Sequence, residues 1–331
     1  MIKTLRNLML GYPILTIFDI TKLCNQRCPM CNIWKSRSNS MTVEQIDLKA
    51  KELTDFGIKY VFLQGGEPTV RKDLIQIIDT FIKYRIKPTV ITNGILLKKD
   101  LASEIAKRKC NLAISIDSLD EELFKKLRGV NVLKKVLNNI QDIKDIKRKG
   151  NWSITTTVSA LSNPEDINHI REYALQNGFM HAIRPYIFVS GTAGKKVDEM
   201  IDANNKVLSI FEDYLNKAQK ENYLASIIYK WHIKYLKKEK MPMCDAMKRS
   251  FLMKEDGEIA PCIEFPDLNI TLSNFKEQYN SLKNKFADCN CNTPCFYNDA
   301  REIGILWNSK TDILLHLPLI IKQLSKYGNF F

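Results

Sequence analysis

Nine cysteines carry the densest chemical signal in the 331-residue sequence: Cys24, Cys28, Cys31, Cys110, Cys244, Cys262, Cys289, Cys291 and Cys295. Eight of them fall into two groups, towards the two ends of the chain. An odd total, with no leader of signal-peptide type, argues against a disulfide framework. It argues for metal-bound thiolates in a reducing, cytoplasmic compartment. Cys24, Cys28 and Cys31 have the spacing C-x3-C-x2-C. Three such thiolates can bind three irons of a four-iron–four-sulfur cluster, which normally takes four cysteines, and the missing ligand leaves one iron open. Zinc is the rival, but it usually takes four ligands, and no His or further Cys lies close by. In the second group, Cys244 and Cys262 flank Lys254-Glu255-Asp256-Gly257, a hairpin-turn signal between two short strands. Cys289, Cys291 and Cys295 add three thiols, spaced C-x-C-x3-C. Five cysteines exceed the four that one cluster needs and fall short of eight for two, so one auxiliary cluster is expected. Zinc is the alternative there, and which of Cys289, Cys291 and Cys295 is spare stays open. Cys110 stands alone at a strand start and reads as a small buried apolar residue.

Elements that could position these groups recur along the chain. Residues 14–20 are apolar and β-branched. Thr42 caps a helix running to about residue 56, closed by Gly57. A strand at 60–63, a helix at 73–84, a strand at 89–92, a helix at 98–108 and a strand at 112–116 follow. A long helix spans about 132–149, with Leu133, Val136, Leu137, Ile140 and Ile143 repeating at three and four. After a strand at 153–158, Asn163-Pro164-Glu165-Asp166 opens a helix closed by Gly178, and a sixth strand lies near 182–184. Six β-α units imply parallel strands and right-handed crossovers. The expected fold is α/β, a partial (β/α)6 TIM-like barrel with a small cysteine-rich C-terminal domain, although periodicity alone also admits a doubly wound sheet. The expected boundaries are an extension at 1–13, a core at 14–235 and a C-terminal domain with its tail at 236–331. Residues 195–240 read as helical and lysine-rich. Pro318 is expected to interrupt any helix in the tail.

The first cysteine group follows the first strand, where a barrel places its active-site loops. Polar residues follow the next three strands. Gly65 and Gly66 permit close backbone approach. Glu67 offers an acceptor for a cationic amine, and with Pro68 also suits an ordinary strand-to-helix turn. Asn93-Gly94 is otherwise a turn signal. Ser115 and Asp117 alternate with Ile114 and Ile116, as on a half-exposed strand. Together these stretches resemble the radical S-adenosylmethionine (radical SAM) superfamily over about residues 14–190. Leu63-Gln64-Gly65-Gly66-Glu67-Pro68 is similar to the family's GGEP motif, and Ser115-Ile116-Asp117-Ser118 to its SxD segment. Cys244, Gly257 and Cys262, spaced C-x12-G-x4-C, resemble the opening of the twitch and SPASM domains. Met30, Gln64 and Ser118 depart from the usual residues without removing a ligand. The resemblance implies a cluster on Cys24, Cys28 and Cys31 with SAM on its open iron. It implies a SAM pocket lined by Gly65, Gly66, Glu67, Pro68, Asn93, Ser115 and Asp117. An electron from a flavodoxin or ferredoxin would release a 5′-deoxyadenosyl radical, which abstracts hydrogen from a biosynthetic substrate: a peptide, sugar, cofactor precursor or lipid. The auxiliary cluster would accept an electron or bind substrate.

With 50 Lys and Arg against 37 Asp and Glu, the formal charge is +13. No block of five like charges occurs, so a lysine-rich solvated surface accounts for it. A zinc-stabilised, basic nucleic-acid-binding protein is the non-catalytic alternative. It lacks interleaved aromatics and a binding motif, and no specific nucleic acid is expected. An apolar content of 45% excludes disorder of the whole chain, and no run of 18 apolar residues occurs. The basic, apolar tail and the N-terminal segment suit either weak association with an anionic membrane surface or packing against the barrel. His181, Arg184, Tyr186 and Glu264 are candidates for a substrate cavity; His169 and His232 read as surface or core residues. No catalytic side chain is assigned.

Overall fold

The first strand, β1 (Leu15–Thr21), is buried along its whole length, as a strand covered on both faces must be. It starts a parallel run with β2 (Tyr60–Gly65), β3 (Lys87–Thr92), β4 (Asn111–Ser115), β5 (Trp152–Val158) and β6 (Met180–Pro185), in spatial order identical to chain order. The computed structural model describes residues 7, 10–186, 198–200, 205–242, 244–262, 269–285 and 299–327. Cys289, Cys291, Cys295 and Glu264 lie outside them.

Six helices connect these strands: α1 (Val43–Phe56), α2 (Leu74–Lys83), α3 (Lys99–Ala106), α4 (Glu121–Arg128), α5 (Leu133–Ile143) and α6 (Pro164–Gln176). Thr42 and Gln45 form a reciprocal capping box on α1, and Gly57 closes it in the left-handed conformation. The sequence expectation omits α4, an eight-residue helix with Asp120 as its side-chain cap and Gly129 at its end. The following helix stops at Ile143 instead of running to 149.

Alternation along the strands sorts side chains into two layers. Phe18, Ile20, Val61, Leu63, Val90, Ile114 and Ile154 pack against Ile46, Ile77, Ile105, Val136 and Ile167 of the helices. On the opposite, inner face, Leu15, Ile17, Tyr60 and Phe62 form an apolar floor. Further along the same face come Asp19 and Gln64, joined by a 3.1 Å hydrogen bond. The architecture is therefore the expected partial barrel, with a polar mouth at the C-terminal strand ends.

The helices α7 (Asn205–Glu221) and α8 (Tyr223–Leu236) follow the barrel. The expected C-terminal hairpin forms from β7 (Ser250–Met253) and β8 (Ile259–Ala260), and β7 extends the barrel sheet by pairing parallel with β1. Then come α9 (Leu272–Lys285), α10 (Asp299–Asn308), α11 (Lys310–Leu315) and α12 (Leu317–Tyr327). Ile303 of α10 packs on the apolar floor with Leu252 and Ala260. As expected, the tail is not one continuous helix: α11 ends at Leu315, His316 caps it, and Pro318 sits in the first turn of α12, where its missing N–H is not needed. Among the described residues no helix is long and apolar enough to cross a membrane.

His181 faces the helices, not the barrel interior. Thr156 donates to the Ile116 carbonyl (2.6 Å), so its oxygen accepts from His181 Nε2 (2.8 Å), and His181 Nδ1 accepts from the Tyr214 hydroxyl (2.6 Å). Burial pushes the His181 pKa down to about 3. The unfolded chain, titrating near the ordinary value of about 6.5, then binds a proton that the folded chain refuses. Stability should fall as pH drops from about 6.5 towards 3, at a slope of up to about 1.4 kcal/mol per pH unit. Urea titrations across that range should show a flatter profile for His181→Gln than for the native chain.

Candidate metal centre

The ladder between β1 and β2 does not end with the strands. Gly66 N–H donates to the Thr21 carbonyl (2.7 Å) and Glu67 N–H to the Leu23 carbonyl (2.8 Å), so the start of the cysteine loop is laid along the turn after β2. A Cβ on Gly65 would lie 2.1 Å from the Thr21 oxygen, and one on Gly66 2.2 Å from the Leu23 oxygen. Only glycine allows that approach. On the far side of the loop, a Cβ on Gly129 would lie 2.2 Å from the Arg27 oxygen. The loop is thus clamped between the ends of β2 and α4.

Glu67 is buried, and its carboxylate accepts from Thr69 N (3.0 Å), Thr69 Oγ1 (2.5 Å), Thr92 Oγ1 (2.6 Å) and Asn93 N (2.7 Å). Burial holds its pKa above the usual value despite these donors. The carboxylate therefore ties the turn after β2 to the turn after β3, while Pro68 opens a short 3-10 turn. Asn93 Nδ2 donates to Asn25 Oδ1 (2.7 Å), joining the β3 turn to the cysteine loop. Ser115 is half-buried and paired in register with Thr155. Asp117 is buried; its Oδ1 accepts from Thr157 N (2.8 Å), and its Oδ2 lies 2.7 Å from Arg128 Nε.

Cys24, Cys28 and Cys31 are half-buried on this loop. Burial raises all three thiol pKa values, Cys28 to about 11. Cys24 Sγ accepts from Gln26 N (3.4 Å), and Cys31 from the backbone N–H groups of Ile33 and Trp34. Asn25 Nδ2, Gln26 Nε2 and Trp34 Nε1 are buried around the loop without an acceptor. Buried donors left unpaired point to an absent acceptor. An anionic iron–sulfur cluster fits that need and that donor set. Among the described residues no three Cys, His, Asp or Glu side chains converge closely enough for a single metal ion, whereas a cluster gives each thiolate its own iron. Cys244 and Cys262, also half-buried, bracket the β7–β8 hairpin.

Sequence reasoning missed Arg128. It is the last residue of α4, its side chain only 12% exposed, and its guanidinium reaches both Asp117 and the Cys28 thiol. Its charge partly offsets the effect of burial on Cys28. Recognising α4 would have placed it, because Gly129 marks where the helix stops. Of the other candidates, Arg184 pairs with Glu302 (3.1 Å) at the mouth, and buried His232 lies 3.4 Å from the same carboxylate. Tyr186 N–H donates to the Val158 carbonyl, and His169 is exposed.

The Radical SAM superfamily model matches residues 18–175. The chain is 29% identical over 280 residues to a probable GTP 3′,8-cyclase of Sulfurisphaera tokodaii, covering 80% of this chain and 86% of that protein. It is 30% identical over 266 residues to the GTP 3′,8-cyclase of Campylobacter jejuni subsp. doylei, covering 75% and 80%. The match to the probable GTP 3′,8-cyclase of Methanocaldococcus jannaschii, at 34% identity over 175 residues, spans 57% of that protein. Among solved structures, Streptococcus suis SuiB bound to S-adenosylmethionine superposes with a TM-score of 0.64 at 19% identity, over 85% of this chain and 69% of that one. Native anSMEcpe with bound AdoMet and Kp18Cys peptide gives 0.63 at 16%, over 95% and 100%. At these identities the two structures share the fold. Removing one partner of the buried Asp117–Arg128 pair leaves a charge stranded. Arg128→Met should therefore cost about 3–5 kcal/mol in urea denaturation, and the double variant Asp117→Asn/Arg128→Met should recover most of it.

Proposed function

We propose, from the premise that this chain belongs to the radical SAM superfamily, that it cleaves S-adenosylmethionine reductively at a cluster held by Cys24, Cys28 and Cys31 and acts on a cofactor-precursor substrate. Family membership makes it an enzyme and displaces the nucleic-acid-binding alternative. One observation carries the reading: three thiols on a loop clamped between Gly66 and Gly129, ringed by buried N–H groups that lack an acceptor. The bound cluster and SAM supply the radical chemistry.

The chain's own residues hold and screen. Glu67 has its four donors already, so the backbone of Gly65 and Gly66 is the surface offered to the SAM amino group. Asn93 keeps the β3 turn against the loop, and Ser115 faces the barrel interior beside Thr155. Asp117 serves indirectly, by fixing Arg128 next to Cys28. The apolar floor of Leu15, Ile17, Tyr60 and Phe62 keeps water from one end of the cavity. Cys244 and Cys262, with two of Cys289, Cys291 and Cys295, hold a second cluster of the twitch or SPASM type. A flavodoxin or ferredoxin supplies the electron.

The relatives act on GTP by name, so a purine nucleoside triphosphate is the first substrate to offer. Reduced, anaerobically reconstituted protein should form 5′-deoxyadenosine from SAM, and Cys28→Ala should form none. GTP should speed that production. Product formation that persists in Cys28→Ala would remove the cluster assignment. Product formation indifferent to GTP would remove the nucleotide and leave SAM cleavage standing.

A further inference from the structure

We infer that Glu255, in the turn between β7 and β8, is the positioning residue that closes the cysteine loop. Glu255 is 3% exposed, and every polar contact of its carboxylate goes to one or other end of that loop. Oε2 accepts from Lys22 N (3.2 Å), Ser38 Oγ (2.5 Å) and Ser40 Oγ (3.2 Å). Oε1 accepts from Asn39 N (3.1 Å) and lies 3.6 Å from Lys22 Nζ. The Glu255 carbonyl accepts from Met41 N (3.0 Å). Ser38 Oγ also accepts from Lys22 N (3.1 Å) and bonds Thr21 Oγ1 (3.1 Å).

Lys22 precedes Cys24, and residues 38–41 follow Cys31. One carboxylate therefore gathers both ends of the segment that carries all three thiols. Joining the ends removes most of the conformations such a segment could otherwise sample. The strut is itself well placed. Lys254 N–H bonds the Glu258 carbonyl (2.7 Å), and Gly257 packs against Met41 and Lys49 of α1. Burial pushes the Glu255 pKa up, but the donors from Ser38 and Asn39 and the Lys22 charge outweigh it and keep the group below the usual carboxylate value. The turn lies between Cys244 and Cys262, so one side chain links the hairpin that these two cysteines flank to the first cysteine loop.

The test reads the loop in metal-free, full-length protein and does not depend on the proposed reaction. Alkylation of each cysteine by N-ethylmaleimide is followed by mass spectrometry, with Cys110, fully buried in the core, reporting global opening. Glu255→Ala should speed labelling of Cys24, Cys28 and Cys31 by about tenfold or more with Cys110 unchanged. Glu255→Gln, which keeps an acceptor, should fall between. Native rates at the three loop cysteines in Glu255→Ala would overturn the assignment. If Glu255→Ala opened Cys110 as well, the Ser38→Ala/Ser40→Ala variant decides. It removes two donors and leaves the hairpin intact. Faster labelling confined to the loop then upholds the role, and native rates overturn it.

Discussion

The contact on which the rest of this structure depends is made by backbone alone. Thr21 and Leu23 carbonyls meet the N–H groups of Gly66 and Glu67, in an approach that leaves no room for a side chain at Gly65 or Gly66. That contact turns a flexible cysteine-bearing segment into a continuation of the sheet. It is available only because β1 and β2 are parallel neighbours whose C-terminal ends leave the sheet together. The helix layer, the ordered strands and the glycines all serve to bring those two loop starts within hydrogen-bonding distance.

Around that contact the polar groups work as ties. Glu67 binds the second strand end to the third, Asn93 binds the third to the loop, and Asp117 with Arg128 brings the fourth strand and α4 against Cys28. Each carboxylate is buried and fully engaged, a state that a protein tolerates only when the partners are fixed beforehand. The site is therefore stiff in its supports. Among the described residues, buried donors without an acceptor include Asn25 Nδ2, Gln26 Nε2 and Trp34 Nε1 on the cysteine loop itself.

Much of this was readable in the chain. Thr42, Gln45 and Gly57 mark both ends of α1, and the helical repeat of Leu133, Val136 and Ile140 marks α5, because caps and periodicity are local signals. The six parallel strands followed from their alternation with helices. What escaped depends on contacts distant in sequence. α4 buries only Phe124 and Leu127, too short a pattern to register, and Arg128 was missed with it. The residue type at Glu67 suggested an acceptor, but the direction of its carboxylate is set by Thr92 and Asn93 on another strand. His181 is only a candidate for the cavity in the sequence, because one residue of register decides between the inner face and the outer. The pairing of β7 with β1 leaves no trace in either segment.

That last pairing has a consequence for how the chain is made. Thr16 Oγ1 bonds the Phe251 carbonyl across a separation of 235 residues. On a ribosome adding about 5–20 residues per second, β1 emerges roughly 10–50 s before the strand that covers its free edge. During that interval an apolar strand has an open row of backbone donors and acceptors beside the cysteine loop, a state that natural edge strands are built to avoid. The earliest part of the barrel to be synthesised is thus among the last to be completed, and the young chain depends on its surroundings to keep that edge from finding another partner.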